Sequence, residues 1–538
     1  MPHLTGAQAA IATLRAHGVD TIFGIPGVHT LPLYDAMRAE PGLRHVLARH
    51  EQGAGFMADG YARVSGRVGV VCTITGPGVT NVATPVANAY ADSVPVLVIS
   101  TGLPRASMGR SRGELHELKD QLGVMEALAG WTRAVTGVDE IPDALRDAFR
   151  ALRAGRPRAA YLQIPRDLLQ IEAEVELLAP AAITPARPSA ADIAATARLL
   201  REAQRPLIVA GAGVTAAGAN RQLARLAELL GAPVLLGSKS RDALPSDFPL
   251  AVATTGYPLP SELRALAGSS DAALVVGSKL GAERTGRGHL PLPTVLAQID
   301  VDPAEIGRNY PAAVGVVADA RLALEALLDT LGDLPGERPS RLDEVAAARE
   351  AVNKRAHDVF GTSLAMLDAV RDALPREGVV VADMTMLGYA SAEYLPVYEP
   401  RTYIHPSELC TIGCALPLAL GAKVGAPERP VVALCGDGGF LLNVGELATA
   451  VQEKIAVVAI VFNDAAYTAV KRAQQQRFDG RYIATDLVSP DFAALARAYG
   501  AEGAHAGSPD ELRDAIGAAL RRAGPTLIEV PLPPRVGS

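Results

Sequence analysis

Short apolar runs, each followed by a stretch of helical spacing, recur along the whole of this chain. Thr21 to Phe23, Val68 to Ile74, Val96 to Ser100 and Ala159 to Ile164 read as strands separated by helical stretches. A Pro- and Ala-rich linker from Leu178 to Ala190 interrupts the pattern. It resumes with strands at Leu207 to Ala210, Ala273 to Val276 and Val295 to Ile299, then meets a polar stretch holding Pro335 and Pro339. A last segment, from about Val352, places a helix over Phe440 to Gln452 between the apolar runs Pro430 to Cys435 and Ile455 to Phe462. Strands alternating with helices predict α/β architecture with parallel sheets. The expected organisation is three consecutive domains, 1–175, 190–332 and 352–538, the middle one Rossmann-like.

Composition narrows the class. A chain of 538 residues, 49% hydrophobic and 20% charged, is long enough for several cores. A net charge of −7 gives no reason to expect a nucleic-acid partner. No apolar run approaches a membrane span. The start, Met1 to Asp20, reads as an amphipathic helix without the basic and apolar blocks of a signal peptide. Cys72, Cys410, Cys414 and Cys435 lack paired metal spacing and read as reduced thiols, so a cytoplasmic protein is expected.

The chemistry is carried by two stretches. Gly436-Asp437-Gly438-Gly439 follows an apolar run, so its glycines should fall on a strand-to-helix turn, where backbone N–H groups face an anion. The next run stops at Asn463, 26 positions after Asp437. If the two strands are parallel neighbours, both ends reach one edge of the sheet, where doubly wound folds bind ligands. Asp437 and Asn463, with the backbone of Ala465, would then offer hard oxygens suited to Mg²⁺ and a diphosphate. Taken alone, Gly-Asp-Gly is more often only a tight turn. Near the other end, Glu51 follows the strand candidate Leu43 to Ala48 and precedes helix-like Gly55 to Ala62. Taken alone, it is a helix-start carboxylate or the partner of Arg49.

Read together, Phe23-Gly24-Ile25-Pro26-Gly27, the run around Glu51, Thr75-Gly76-Pro77-Gly78-Val79-Thr80-Asn81 and the Gly436 to Asn463 pair resemble the thiamine-diphosphate family of acetolactate synthase and the 2-oxo acid decarboxylases. The motifs occur in the family's order and span nearly the whole chain. The resemblance implies thiamine diphosphate and Mg²⁺ as cofactors. Pro26, Glu51, Thr75, Asn81, Thr385, Ile412, Gly436, Asp437, Gly438, Gly439 and Asn463 would contact the cofactor. Glu51 would hydrogen-bond its aminopyrimidine ring and so promote proton removal from the thiazolium carbon, and Ile412 would prop the bend between the rings. It also implies a homodimer or homotetramer with active sites at the subunit interface. Gly211-Ala212-Gly213 is an incomplete dinucleotide fingerprint, and Gly277 to Gly286 only partly resembles the flavin pattern, which leaves FAD undecided.

Substrate choice is less determined, although a small 2-oxo acid is the expected partner. Counted from Asn463, the tryptophan of acetolactate synthases is Arg472 here, and the glutamate of pyruvate decarboxylases is Ala469; Thr468 lies beside them. His116, in Gly113 to Leu118, and His29 are candidates for proton transfer, each with a structural alternative. The segments around these histidines also look like the 5-guanidino-2-oxopentanoate decarboxylases, but no acid near Ala469, Lys471 and Arg472 would receive a cationic substrate. The leading expectation is a decarboxylating carboligase of the acetolactate synthase type, using pyruvate or a related acid. The alternatives are a decarboxylase that releases an aldehyde, and a non-catalytic cofactor-binding or regulatory subunit.

Overall fold

A computed structural model describes residues 1–333 and 338–533. Its contacts divide the chain into two compact units, and neither is a continuous stretch. The first comprises Met1–Thr184, Pro406–Ala506 and Ala518–Ser538; the second comprises Pro185–His405 and Gly507–Gly517. Pro335 lies outside the described residues, and Val352 falls inside the helix Leu342–Phe360.

The first unit holds a parallel sheet whose spatial order is Arg44–Leu47, Thr21–Gly24, Gly69–Thr73, Val96–Gly102, Ala160–Pro165 and Trp131–Ala134. The strands over Gly69–Thr73, Val96–Gly102 and Ala160–Pro165 are buried throughout, which is why they read as unbroken apolar runs rather than alternating ones. The expected amphipathic start is shorter than read. Helix Gly6–Ala16 is preceded by the strand His3–Thr5, which pairs antiparallel with Glu172–Glu174. Thr5 and Gln8 form a capping box at that helix start, and its apolar face joins the core with Ile141, Leu145 and Phe149.

The same unit contains a second set of parallel strands, Val431–Gly436, Val458–Asn463, Thr526–Pro531 and Glu502–His505. The expected helix over Phe440 to Gln452 is two pieces, Asp437–Leu442 and Glu446–Gln452. The break is built by Asn443, whose carboxamide donates to Gly413 O at 2.7 Å while its own carbonyl accepts from Glu446 N–H at 3.0 Å. Alternation of polarity cannot reveal such a break.

The two sets are joined by a helix pair of unusually close approach, Glu51–Ser65 against Ala415–Gly425. A Cβ on Gly421 would run into Met57 O, and one on Gly60 into Leu418 O. Gly421→Ala is therefore expected to destabilise the chain by roughly 1–3 kcal/mol, the usual cost of overpacking. A fall in the urea midpoint checks this, and an unchanged midpoint would show that the helices separate freely.

In the second unit the parallel sheet runs Ala251–Ala253, Val234–Leu236, Pro206–Ala210, Ala272–Val276, Leu296–Asp300 and Val314–Val317. Gly211 N–H donates to Val276 O at 2.8 Å and Gly213 N–H to Gly277 O at 3.1 Å. The glycines of this turn thus serve close backbone approach to the neighbouring strand end, which is the structural reading of that motif. Val379–Ala382 and Tyr403–Ile404 form a further parallel pair in this unit.

Candidate active site

Gly436 pairs with Phe462 in the parallel register, so Asp437 and Asn463 leave adjacent strands side by side at their carboxyl ends. This is the juxtaposition the sequence required. Asp437 is 2% exposed, and its Oδ2 accepts from Ser489 Oγ at 2.9 Å. Burial raises its pKa, and the charge of Asp464 adds to the rise, while Ser489 and the Gly438 N–H oppose it. A buried carboxylate with one hydroxyl partner gains most from a cation. Asn463 is oriented by Glu529, whose Oε1 accepts from Asn463 Nδ2 at 2.8 Å. The carboxamide oxygen is thereby turned towards the Ala465 N–H, 3.2 Å away. Ala465 has φ +54°, and its carbonyl accepts from Leu487 N–H at 2.8 Å, leaving a second lone pair for another partner.

The donor set is carboxylate, carboxamide and carbonyl, which suits a hard divalent cation rather than a thiolate-seeking metal. Gly438 adds a steric requirement. A Cβ there would stand 2.5 Å from Tyr467 Cε1, so any side chain would collide with that ring. Gly436 ends the strand, and Gly439 lies buried in the short helix that follows. Ile412 is half-buried in a turn just before the helix Ala415–Gly425. Thr385 belongs to the second unit, where it precedes the helix Met386–Glu393 as its N-cap residue.

Glu51 is the first residue of helix Glu51–Ser65, four positions earlier than the sequence pattern placed the helix start. His50 makes the difference, because its Nδ1 accepts from Gln52 N–H at 3.0 Å and so caps the helix. The Glu51 side chain is buried, and its Oε2 accepts from Asn81 Nδ2 at 2.9 Å. Two of the expected contact residues are thereby brought together. Pro26 is exposed just beyond the strand Thr21–Gly24, and Thr75 is buried beyond the strand Gly69–Thr73.

Glu446 was not legible in the sequence. Its carboxylate accepts from the backbone N–H groups of Arg49 (3.1 Å) and His50 (3.0 Å) and from Thr449 Oγ1 (2.7 Å). Burial raises its pKa, against the pull of Thr449 and of those two N–H groups. A Cβ on Gly53 would collide with Glu446 Oε1, so Gly53 is what admits the carboxylate. The element that follows the Gly436 motif therefore grips the backbone immediately before Glu51. Only a three-dimensional contact connects residues 397 positions apart.

The two histidines come together, with ring centroids 5.3 Å apart and edge to face. His29 is buried, and His116 is half-buried with φ +65°. Sequence reasoning missed Arg166, which contacts His29, and Gln121, whose amide accepts from Gly76 N–H at 2.8 Å. Of the expected pocket residues, Thr468 is buried and donates to Asp464 Oδ2 at 2.6 Å, Ala469 is exposed, and Arg472 is half-buried. Lys471, named with Arg472 among the nearby cations, pairs with Asp486 at 2.5 Å.

Family profiles match three stretches of the chain. Residues 4–124 match the N-terminal TPP binding domain of thiamine pyrophosphate enzymes, 193–327 their central domain and 383–530 their C-terminal TPP binding domain. The chain is 39% identical to a probable 2-ketoarginine decarboxylase of Pseudomonas aeruginosa, covering 98% of this chain and 94% of that protein. It is 33% identical to an acetolactate synthase large subunit of Mycobacterium tuberculosis, covering 96% and 86%. It is 31% identical to the acetolactate synthase isozyme 3 large subunit of Escherichia coli, covering 97% and 93%. No helix among the described residues is long and apolar enough to cross a membrane.

Proposed function

This chain belongs to the thiamine pyrophosphate enzymes, and from that premise we propose that it decarboxylates a small 2-oxo acid with bound thiamine diphosphate and Mg²⁺. The observation that carries the reading is the side-by-side exit of Asp437 and Asn463 from neighbouring parallel strands. Asp437, Asn463 and the carbonyl of Ala465 would hold the cation, and the Gly436 to Gly439 turn would receive the diphosphate. The thiazolium would supply an electron sink that side chains lack. Glu51, steadied by Asn81, would hold and return a proton at the aminopyrimidine. Pro26, Thr75 and Ile412 would complete the contacts, with Thr468, Ala469 and Arg472 at the substrate pocket. The domains would be 1–175, 190–332 and 352–538, assembled in the cytoplasm as a homodimer or homotetramer with sites at the subunit interface.

The fragment left after CO₂ departs has two fates. In the first, it is ligated to an acceptor, as the relatives named acetolactate synthase indicate. In the second, it is protonated and released as an aldehyde. The pairing of Lys471 with Asp486 supports a cationic substrate such as 2-ketoarginine, because it places an acid near Ala469 and Arg472 where the sequence offered none. The relative named for 2-ketoarginine points the same way.

A panel of 2-oxo acids including pyruvate and 2-ketoarginine, scored for CO₂ release with product identification, tests the proposal. Acetolactate or acetoin from pyruvate supports ligation, and an aldehyde alone supports release. No CO₂ from any member in the presence of both cofactors would defeat both. Asp437→Ala is expected to weaken Mg²⁺ and thiamine diphosphate retention together, by roughly 10-fold or more, given the 1.5–3 kcal/mol of a charged contact. Calorimetric titration measures it, and undiminished affinity would remove Asp437 from the cation's ligands.

A further inference from the structure

His29 lies on a hydrogen-bonded line whose direction follows from the chemistry of its members. Its Nε2 is 2.6 Å from Arg166 Nη1, and its Nδ1 is 3.1 Å from Thr75 Oγ1. A guanidinium has only donors and stays charged near neutral pH, so Nε2 must accept. The proton of the neutral ring then stands on Nδ1 and is donated to Thr75 Oγ1. Thr75 is held further by Thr101, whose hydroxyl lies 2.9 Å from Thr75 Oγ1 and accepts the Thr75 N–H at 3.0 Å.

Arg166 is anchored on its far side. Its Nη2 donates to Glu114 Oε2 at 3.1 Å, and Glu114 Oε1 accepts from Ser107 Oγ at 2.6 Å. The charged groups facing His29 are Arg166 from beyond the strand Ala160–Pro165, and Glu114 and His116 from the segment 103–120. Among the described residues, Glu114 is the one of these groups that favours a charged ring, and its carboxylate already accepts from Arg166. Protonating His29 would press two cations together and break the contact to Arg166. Burial, then Arg166, hold the imidazole below the ordinary histidine range.

We infer that Arg166 is a positioning residue that locks His29 as the neutral, Nδ1-protonated tautomer. His29 then orients the Thr75-Gly76 turn. The tautomer of His29 does not depend on the proposed thiamine-dependent reaction.

The test is nitrogen NMR of the full-length protein with ¹⁵N-labelled histidine, the His29 signals being identified by their loss in His29→Asn. The expected spectrum shows an unprotonated Nε2 and a protonated Nδ1 that persist as the pH falls through the ordinary histidine range. In Arg166→Met the His29 midpoint is expected to move up, and Arg166→Lys, which keeps a cationic donor, should restore the wild-type pattern. A wild-type His29 that titrates as a free imidazole, or carries its proton on Nε2, would overturn the inference. Should Arg166→Met fail to fold, the wild-type and Arg166→Lys spectra still decide. A wild-type protein that decarboxylates nothing would defeat the proposed function while the nitrogen spectrum still judged the tautomer.

Discussion

Glu51→Gln is expected to leave cofactor retention near wild type while lowering turnover by roughly 10²–10⁴-fold, the range a positioned proton-transfer group contributes. The substitution keeps the length and shape of the side chain, and a carboxamide oxygen still accepts from Asn81, 2.9 Å away in the wild type. What it removes is the acidic carboxyl at the start of helix Glu51–Ser65. The diphosphate contacts proposed above involve other elements and should persist. Proton exchange at the thiazolium carbon, followed by NMR, separates this from a general loss of structure. Exchange at the wild-type rate would show that Glu51 is not the group acting on the cofactor's pyrimidine.

Glu446→Ala is expected to be nearly as damaging although its carboxylate lies on a different element. It would strip the side-chain acceptor from the part-buried N–H groups of Arg49 and His50, at roughly 1–3 kcal/mol, while the Thr449 hydroxyl keeps Leu47 O as an acceptor at 3.2 Å. It would also release the backbone just ahead of Glu51, and a displacement on the order of 1 Å at a catalytic group can cost about 10²-fold in rate. The fall should appear in kcat more than in KM, because the residue acts through Glu51. Glu446→Gln retains one acceptor oxygen and should recover a substantial part of kcat. If Glu446→Ala unfolds at lower urea yet turns over normally, the residue serves stability alone.

The sequence conveyed the parts of this molecule that are local. Strand runs such as Val431–Gly436 and Val458–Asn463 announced themselves because both faces are buried. Their parallel pairing placed Asp437 beside Asn463 as expected. The helix beginning at Glu51 started early because a histidine cap, His50, is not among the usual cap signals. The break at Asn443 depends on Gly413, and the Glu446 grip on Arg49 depends on a tertiary approach that Gly53 permits. Arg166 stayed hidden for the same reason, since its partner His29 lies 137 positions away. The division into units was equally hidden, because the first unit is assembled from separated stretches of chain.

The seam between helices Glu51–Ser65 and Ala415–Gly425 bears on how the protein is made. Its early half leaves the ribosome long before its late half exists, with the Glu446 contact alone spanning 397 positions. At about 5–20 residues per second, roughly 20–80 s pass before the closing segment is synthesised. Throughout that interval the glycine-notched face of helix Glu51–Ser65 would lack the partner helix that covers it in the folded chain. A chaperone that shields such a face would therefore be expected to raise the yield of active protein more than it raises the yield of chain.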